Sequence, residues 1–282
     1  MKKILTLGCV LWTQLSAMAA CPTDAQIQHF LQDFAKRQTS VGFERGMGWE
    51  DARCARQKLA AKLPAYLGQH IGYTLRLSPG QTNKPSTDIP LAWGHMYDRN
   101  LVDIIAVLPA QYGAQPRVQA AWLFEVKDAG LADAASALEA LAHIESMVPF
   151  IELSDDMVEG ELAPADALAL NVGFRGGVLG AEIHLSPQPQ TVDAMAQVHI
   201  EMRDLISGQV LGVANAKHLA GQPLIAAMAF AKALKKEGVL LKKGDLLNLS
   251  GFMPAFVPIP GQRIELKYVG MPGDPAVTVE FN

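Results

Sequence analysis

The sequence predicts an α+β fold, rich in antiparallel strands, with helices gathered at two or three points of the chain. Three observations lead there. Short apolar or alternating runs separated by glycine and proline turn signals fill much of the chain after residue 70. Helical periodicity is confined to a few segments. The 282 residues, 50% hydrophobic and only 18% charged, can bury one large core or a closely coupled pair.

The chain opens with Lys2 and Lys3, an apolar run from Ile4 to Trp12, and then "TQLSAMAAC", with Ala17 and Ala19 at cleavage spacing. This order predicts a secretory signal peptide over residues 1–20 and a periplasmic or otherwise exported protein. The apolar run is too short to span a bilayer as a permanent helix. "MAAC" loosely resembles a lipoprotein box, so soluble export is the first reading and a lipid-anchored Cys21 the second. Cleavage removes Lys2 and Lys3 and no acidic residue, moving the formal charge from −4 to −6. That balance, without basic runs, argues against a nucleic-acid partner. It also leaves Cys21 and Cys54, an even pair in an oxidising compartment. A Cys21–Cys54 disulfide is one reading; two unpaired thiols, or an acylated Cys21 with Cys54 buried, are the others. No CxxC or Cys/His cluster suggests zinc.

Residues 21–70 read as an N-terminal helical segment. Ile27, Phe30, Leu31 and Phe34 fall at helical spacing within residues 24–38, with Thr23 or Asp24 as N-cap, and a second helix over 49–67 is broken late by Pro64. From residue 71 to 282 the sequence predicts strands over 71–78, 100–109 and 117–126 and a helix over 132–147. A strand over 148–155, a glycine-interrupted pair over 171–185 and strands over 196–204 and 209–216 follow. A helix over 222–237 has proline near its first turn and lysines in its last, and bent strands complete the chain.

Seven pieces carry a resemblance: "GYTLRLS" from Gly72, "WGHMYD" from Trp93, "QPRVQAAW" from Gln115, "VPFIEL" from Val148, "NVGFRGGVLG" from Asn171, "LAGQPLIAAMAFAKAL" from Leu219 and "KKGDLLNLSGFMPAFVPIPGQRIEL" from Lys242. In this order they resemble the fumarylacetoacetate hydrolase superfamily, most closely its 2-keto-4-pentenoate hydratase branch, which includes 4-oxalocrotonate decarboxylases. The resemblance covers nearly the whole chain after residue 20. It implies a rolled mixed β-sandwich with peripheral helices, a pocket at one mouth of the roll, and a homo-oligomer. It also implies a magnesium or manganese ion, held by three carboxylates, that polarises a 2-oxo acid.

In this chain those three positions fall on Gln119, Ala121 and Glu152. One carboxylate with a neutral amide and a methyl group is a poor set for a hard cation. Glu125 shares their strand face but lies about 13 Å beyond Ala121. The family's lysine, aspartate and histidine positions fall on Thr74, Leu170 and Gln222. No cofactor is therefore expected, magnesium or manganese returning only if other ligands rebuild the site. Arg76 and Arg175 are candidate carboxylate anchors, since a guanidinium fork suits that group. His95, Ser250 and Gly251 are further candidates for binding substrate, whereas His143 reads as a packing residue on its helix.

The expected function is an exported, hydratase-fold protein without the metal-dependent site, binding a small carboxylic acid or a protein partner. The alternative is a metal-free lyase, hydratase or tautomerase on a 2-oxo acid, with Glu152 as acid/base and Arg76 as anchor. Membrane contact is expected only through a lipidated Cys21.

Overall fold

The computed structural model describes residues 21–77, 90–104, 106–219 and 221–282; the expected signal peptide and most of the turn-rich loop after Leu77 lie outside the described residues. Helix α1 (Asp24–Lys36) starts at a capping box, in which Thr23 Oγ1 accepts from the Gln26 amide at 3.2 Å and the Gln26 side chain accepts from the Thr23 amide at 2.8 Å. It buries Ile27, Phe30, Leu31 and Phe34, the face that the spacing marks. Arg37 closes it in the left-handed region, at φ 57°. Helix α2 (Trp49–Ala60) stops before Pro64, which opens the single turn of α3 (Pro64–Leu67) because its missing amide hydrogen is not needed there. The structure joins Cys21 to Cys54, with Cα atoms 5.7 Å apart, and so pins the start of α1 to the middle of α2.

The strands are β1 (His70–Arg76), β2 (Trp93–Tyr97), β3 (Leu101–Asp103), β4 (Ala106–Leu108), β5 (Pro116–Val126), β6 (Ile144–Asp155), β7 (Phe174–Leu179), β8 (Ile183–His184), β9 (His199–Asp204), β10 (Val210–Asn215), β11 (Leu246–Ser250), β12 (Arg263–Val269) and β13 (Ala276–Phe281). Helices α4 (Ala137–Ala142), α5 (Pro164–Ala169), α6 (Pro189–Gln197) and α7 (Pro223–Lys236) complete the fold. The larger sheet runs β2-β1-β11-β5-β6-β7-β3, with β8 also on β6; the smaller runs β10-β9-β12-β13-β4. Parallel pairs (β1 with β11, β3 with β7, β13 with β4) sit among antiparallel ones, so both sheets are mixed.

The sheets meet through Trp122 and Phe124 of β5 and Tyr268 of β12, whose ring lies edge-on to Trp122 at 5.1 Å. The Tyr268 hydroxyl donates to the Ala121 carbonyl and accepts from the Phe150 amide at 3.4 Å, so the smaller sheet is bonded into the backbone of the larger.

Three expectations are corrected. The helix over 132–147 shrinks to α4: Ser136 Oγ caps it by accepting from the Glu139 amide at 3.2 Å, and Ile144 already belongs to β6. Pairing of Ile144–Met147 with β5 and β8 outweighs local helix propensity. His143 is the C-cap of α4, its Nδ1 2.7 Å from Asp128 Oδ1. The single strand over 100–109 is two, β3 in the larger sheet and β4 in the smaller. Helices α5 and α6, both with proline in the first turn, were not expected.

The disulfide closes a loop between cysteines 33 positions apart, which removes about 2–4 kcal/mol of freedom from the unfolded chain. Reduction, or Cys54→Ser, should lower the thermal midpoint by several degrees in calorimetry, with the strand signal in circular dichroism retained below it.

Candidate functional site

Strand alternation sets one face of the larger sheet toward the inside of the roll. In β5 this face carries Arg117, Gln119, Ala121 and Leu123; directly opposite in β6 are Ser154, Glu152, Phe150 and Val148. Thr74 of β1 is paired with Asn248 of β11, and Arg76 with Ser250. In a flat sheet β1 would lie three strand spacings, about 14 Å, from β6. Thr74 Oγ1 nevertheless donates to Glu152 Oε2 at 3.2 Å, which only a sheet curled over this face permits.

Glu152 has no exposed surface. Besides Thr74, its Oε2 accepts from Asn248 Nδ2, which also donates to Thr74 Oγ1 at 2.9 Å. Burial pushes its carboxyl above the ordinary carboxylate range, opposed by the Arg76 cation and by the hydrogen bonds from Asn248 and Thr74. Among the described residues neither Glu152 Oε1 nor Asn248 Oδ1 meets a donor. Gln119, opposite Glu152, turns its amide away: Nε2 donates to Ser154 Oγ at 2.7 Å.

Deeper in the roll the face is apolar. Ala121, Leu123, Phe150, Met96 and Phe174 form one buried cluster. The Phe150 ring fills the space over Gly177, where an added Cβ would sit 2.1 Å from it. At the mouth, Asp156 receives two guanidinium groups: Arg76 Nη1 at 3.3 Å on Oδ1 and Arg117 Nε at 2.9 Å on Oδ2. Within this trio the two cations outnumber the carboxylate by one. Arg76 and Asp156 line a cleft of about 260 Å3, with Ala92 and Gly160 on its walls and Glu161 also facing it.

The structure thus brings together Glu152, Gln119, Ala121, Arg76 and Ser250, whose hydroxyl donates to the Leu75 carbonyl at 3.3 Å. Gly251 is a backbone residue at φ 83°, where a Cβ would lie 2.4 Å from the Leu77 carbonyl oxygen. Two expected residues are elsewhere. Arg175 would share the inner face by its parity with Gly177, but the register shifts between Leu153 and Ser154, and the extra residue turns it outward. There Arg175 Nη2 pairs with Asp155 Oδ2 at 2.7 Å and its guanidinium lies 3.6 Å from the centre of the Phe34 ring.

His95 pairs with Tyr73, one step out of phase with Thr74 and Gly94, and therefore lies on the outer face. Its ring packs 5.0 Å from His70 and 5.4 Å from Trp93; burial, then His70 and Arg56, hold its pKa down at about 3, so it is neutral. Sequence reasoning missed Arg117, although its two-residue offset from Gln119 was a readable signal, and also Asp156 and Asn248.

No family model and no curated relative matches the sequence. Solved structures do match. 4-Oxalocrotonate decarboxylase from Pseudomonas putida G7, complexed with calcium and acetate, superimposes with a TM-score of 0.74 at 18% identity, over 92% of this chain and 96% of that one. The same enzyme complexed with magnesium and adipate gives 0.74 at 17% identity, over the same shares. Fumarylpyruvate hydrolase from Pseudomonas aeruginosa, in complex with Mn2+ and pyruvate, gives 0.51 at 12% identity, over 77% and 91%. At these identities the likeness establishes a shared fold with 4-oxalocrotonate decarboxylase and fumarylpyruvate hydrolase.

The raised Glu152 carboxyl has a sign that can be measured. Its protonation favours the folded state fully below the ordinary carboxylate pKa of about 4.3 and ceases to do so as pH rises through the higher folded value. The thermal midpoint of the native protein, relative to that of Glu152→Gln, should therefore fall as pH is raised from 4 toward 8; a difference independent of pH would show Glu152 ionised throughout.

Proposed function

We propose that this protein is an exported binding protein for a small carboxylic or 2-oxo acid, built on the hydratase fold and working without its divalent ion. The observation that carries the reading is the pair Arg76 and Arg117 on one Asp156 at the mouth of the roll, above a buried carboxyl held by neutral groups. A guanidinium fork matches a carboxylate in shape and charge, and an incoming acid would take the charge that Asp156 leaves uncompensated.

The residues at the family's ligand positions do not fit a magnesium-type ion. Gln119 is committed to Ser154, Ala121 has no donor atom, Glu152 is bonded to Thr74 and Asn248, and Phe150 packs beside them. Among the described residues no group of three histidine, cysteine or acidic side chains has metal-binding geometry. Full burial of Glu152 likewise disfavours its use as a general acid or base, so binding is preferred over the metal-free lyase or tautomerase reading.

Export is supported by the residue order at the N-terminus and by the Cys21–Cys54 bond, which belongs to oxidising compartments and occupies the sulfur that a lipid anchor would need. A homo-oligomer remains part of the reading through the family resemblance alone.

Calorimetric titration with oxalate, magnesium and manganese tests this. Oxalate should bind without metal, neither ion should bind alone or tighten it, and Arg76→Ala should weaken oxalate about tenfold or more. Stoichiometric metal binding that recruits oxalate would restore the enzyme reading.

A further inference from the structure

A second cleft, of about 390 Å3, lies on the outer side of the roll, where α1, α3 and β3 approach the segment after β4. Among the described residues its lining includes Arg37, Arg99 and Arg175 and no acidic side chain, together with the rings of Phe34, Tyr66 and Tyr112. Such a volume is within the range of small-molecule sites.

The three cations differ in how they are held. Arg175 is buried and paired with Asp155. Arg99 Nη1 donates to the carbonyls of Ala65 and Tyr66, at 3.0 and 2.9 Å, and Arg37 Nη1 to that of Gln111 at 3.5 Å. Among the described residues neither Arg37 nor Arg99 has a carboxylate within 4.0 Å. Backbone oxygens thus orient two guanidinium groups while leaving their charges uncompensated. Arg37 is close enough to Arg175 to disfavour its charge.

Arg37 also occupies the left-handed C-cap of α1, a conformation that glycine adopts more readily, so a cation stands at this rim where a glycine would serve the helix better. The rings supply the opposite character. Phe34 and Tyr66 pack edge-to-face at 6.3 Å, and the Tyr112 hydroxyl is spent on the Arg117 and Ser154 carbonyls, leaving only its ring to offer.

We infer that this cleft is a second binding site, for an organic dianion carried on a flat apolar body, such as an aromatic dicarboxylate. The guanidinium groups of Arg37 and Arg99 would take the acid groups, and the half-buried rings of Tyr66 and Tyr112 the apolar body. This site is separate from the mouth of the roll, since it uses neither Arg76 nor Arg117.

The test is calorimetric titration of the oxidised protein with phthalate at low salt. One equivalent should bind, with acetate at least about tenfold weaker because it lacks the ring and the second acid group. Arg99→Ala and Arg37→Gly, the latter a change that the left-handed cap accommodates, should each weaken phthalate about tenfold, while Arg76→Ala leaves it unchanged. Absence of saturable phthalate binding, or binding that both rim substitutions leave intact, would overturn the inference. Loss of phthalate binding on Arg76→Ala would also overturn it and place the acid at the roll. Failure of oxalate to bind at the roll, with phthalate still lost on Arg99→Ala, would leave this site standing alone.

Discussion

The bond network between Glu152, Thr74 and Asn248 is the constraint on which the shape of the larger sheet depends. It joins β6 to β1 and β11 across the inside of the roll, so curvature that twist alone would leave loose is closed by a hydrogen-bonded polar knot. A buried carboxyl is costly unless it is neutral or well bonded, and here threonine and asparagine satisfy it at one oxygen. Gln119 and Ala121 bring no further charge beside it, and both pack as ordinary interior.

Polarity within the roll is graded along the strands. Leucine, methionine and phenylalanine fill the deep end, Glu152 and Gln119 face each other at the next level, and two arginines with Asp156 meet solvent. Along β5 these levels are two residues apart, which is the period on which a strand face repeats. Arg117, Gln119, Ala121 and Leu123 pass through the whole gradient in one strand.

Much of this was legible in the sequence. Helix α1, β5 and α7 declare themselves by local spacing, and the ordered family pieces gave the roll. Gln119 and Ala121 share a face by alternation, and Glu152, set beside them by the resemblance, is paired directly opposite Gln119. What was not legible depends on partners distant in sequence. Ile144–Met147 reads as helix until β5 and β8 are placed beside it, and residues 100–109 read as one strand although two sheets compete for them. Arg175 was misplaced because one irregular position between Leu153 and Ser154 reverses the parity of everything beyond it. His95 was misplaced because its side of β2 is fixed only by the register with β1.

The neighbours in the larger sheet also set the order in which the molecule can be completed. Strand β1 lies between β2 and β11, and Gly72 pairs with Leu246, so the first strand waits for the last quarter of the chain before its second edge is covered. Contacts this remote in sequence make closure slow, because a long loop must be ordered before they form. A chain emerging N-terminus first therefore carries β1 with an open edge through most of its synthesis, a state in which pairing with other chains competes with folding.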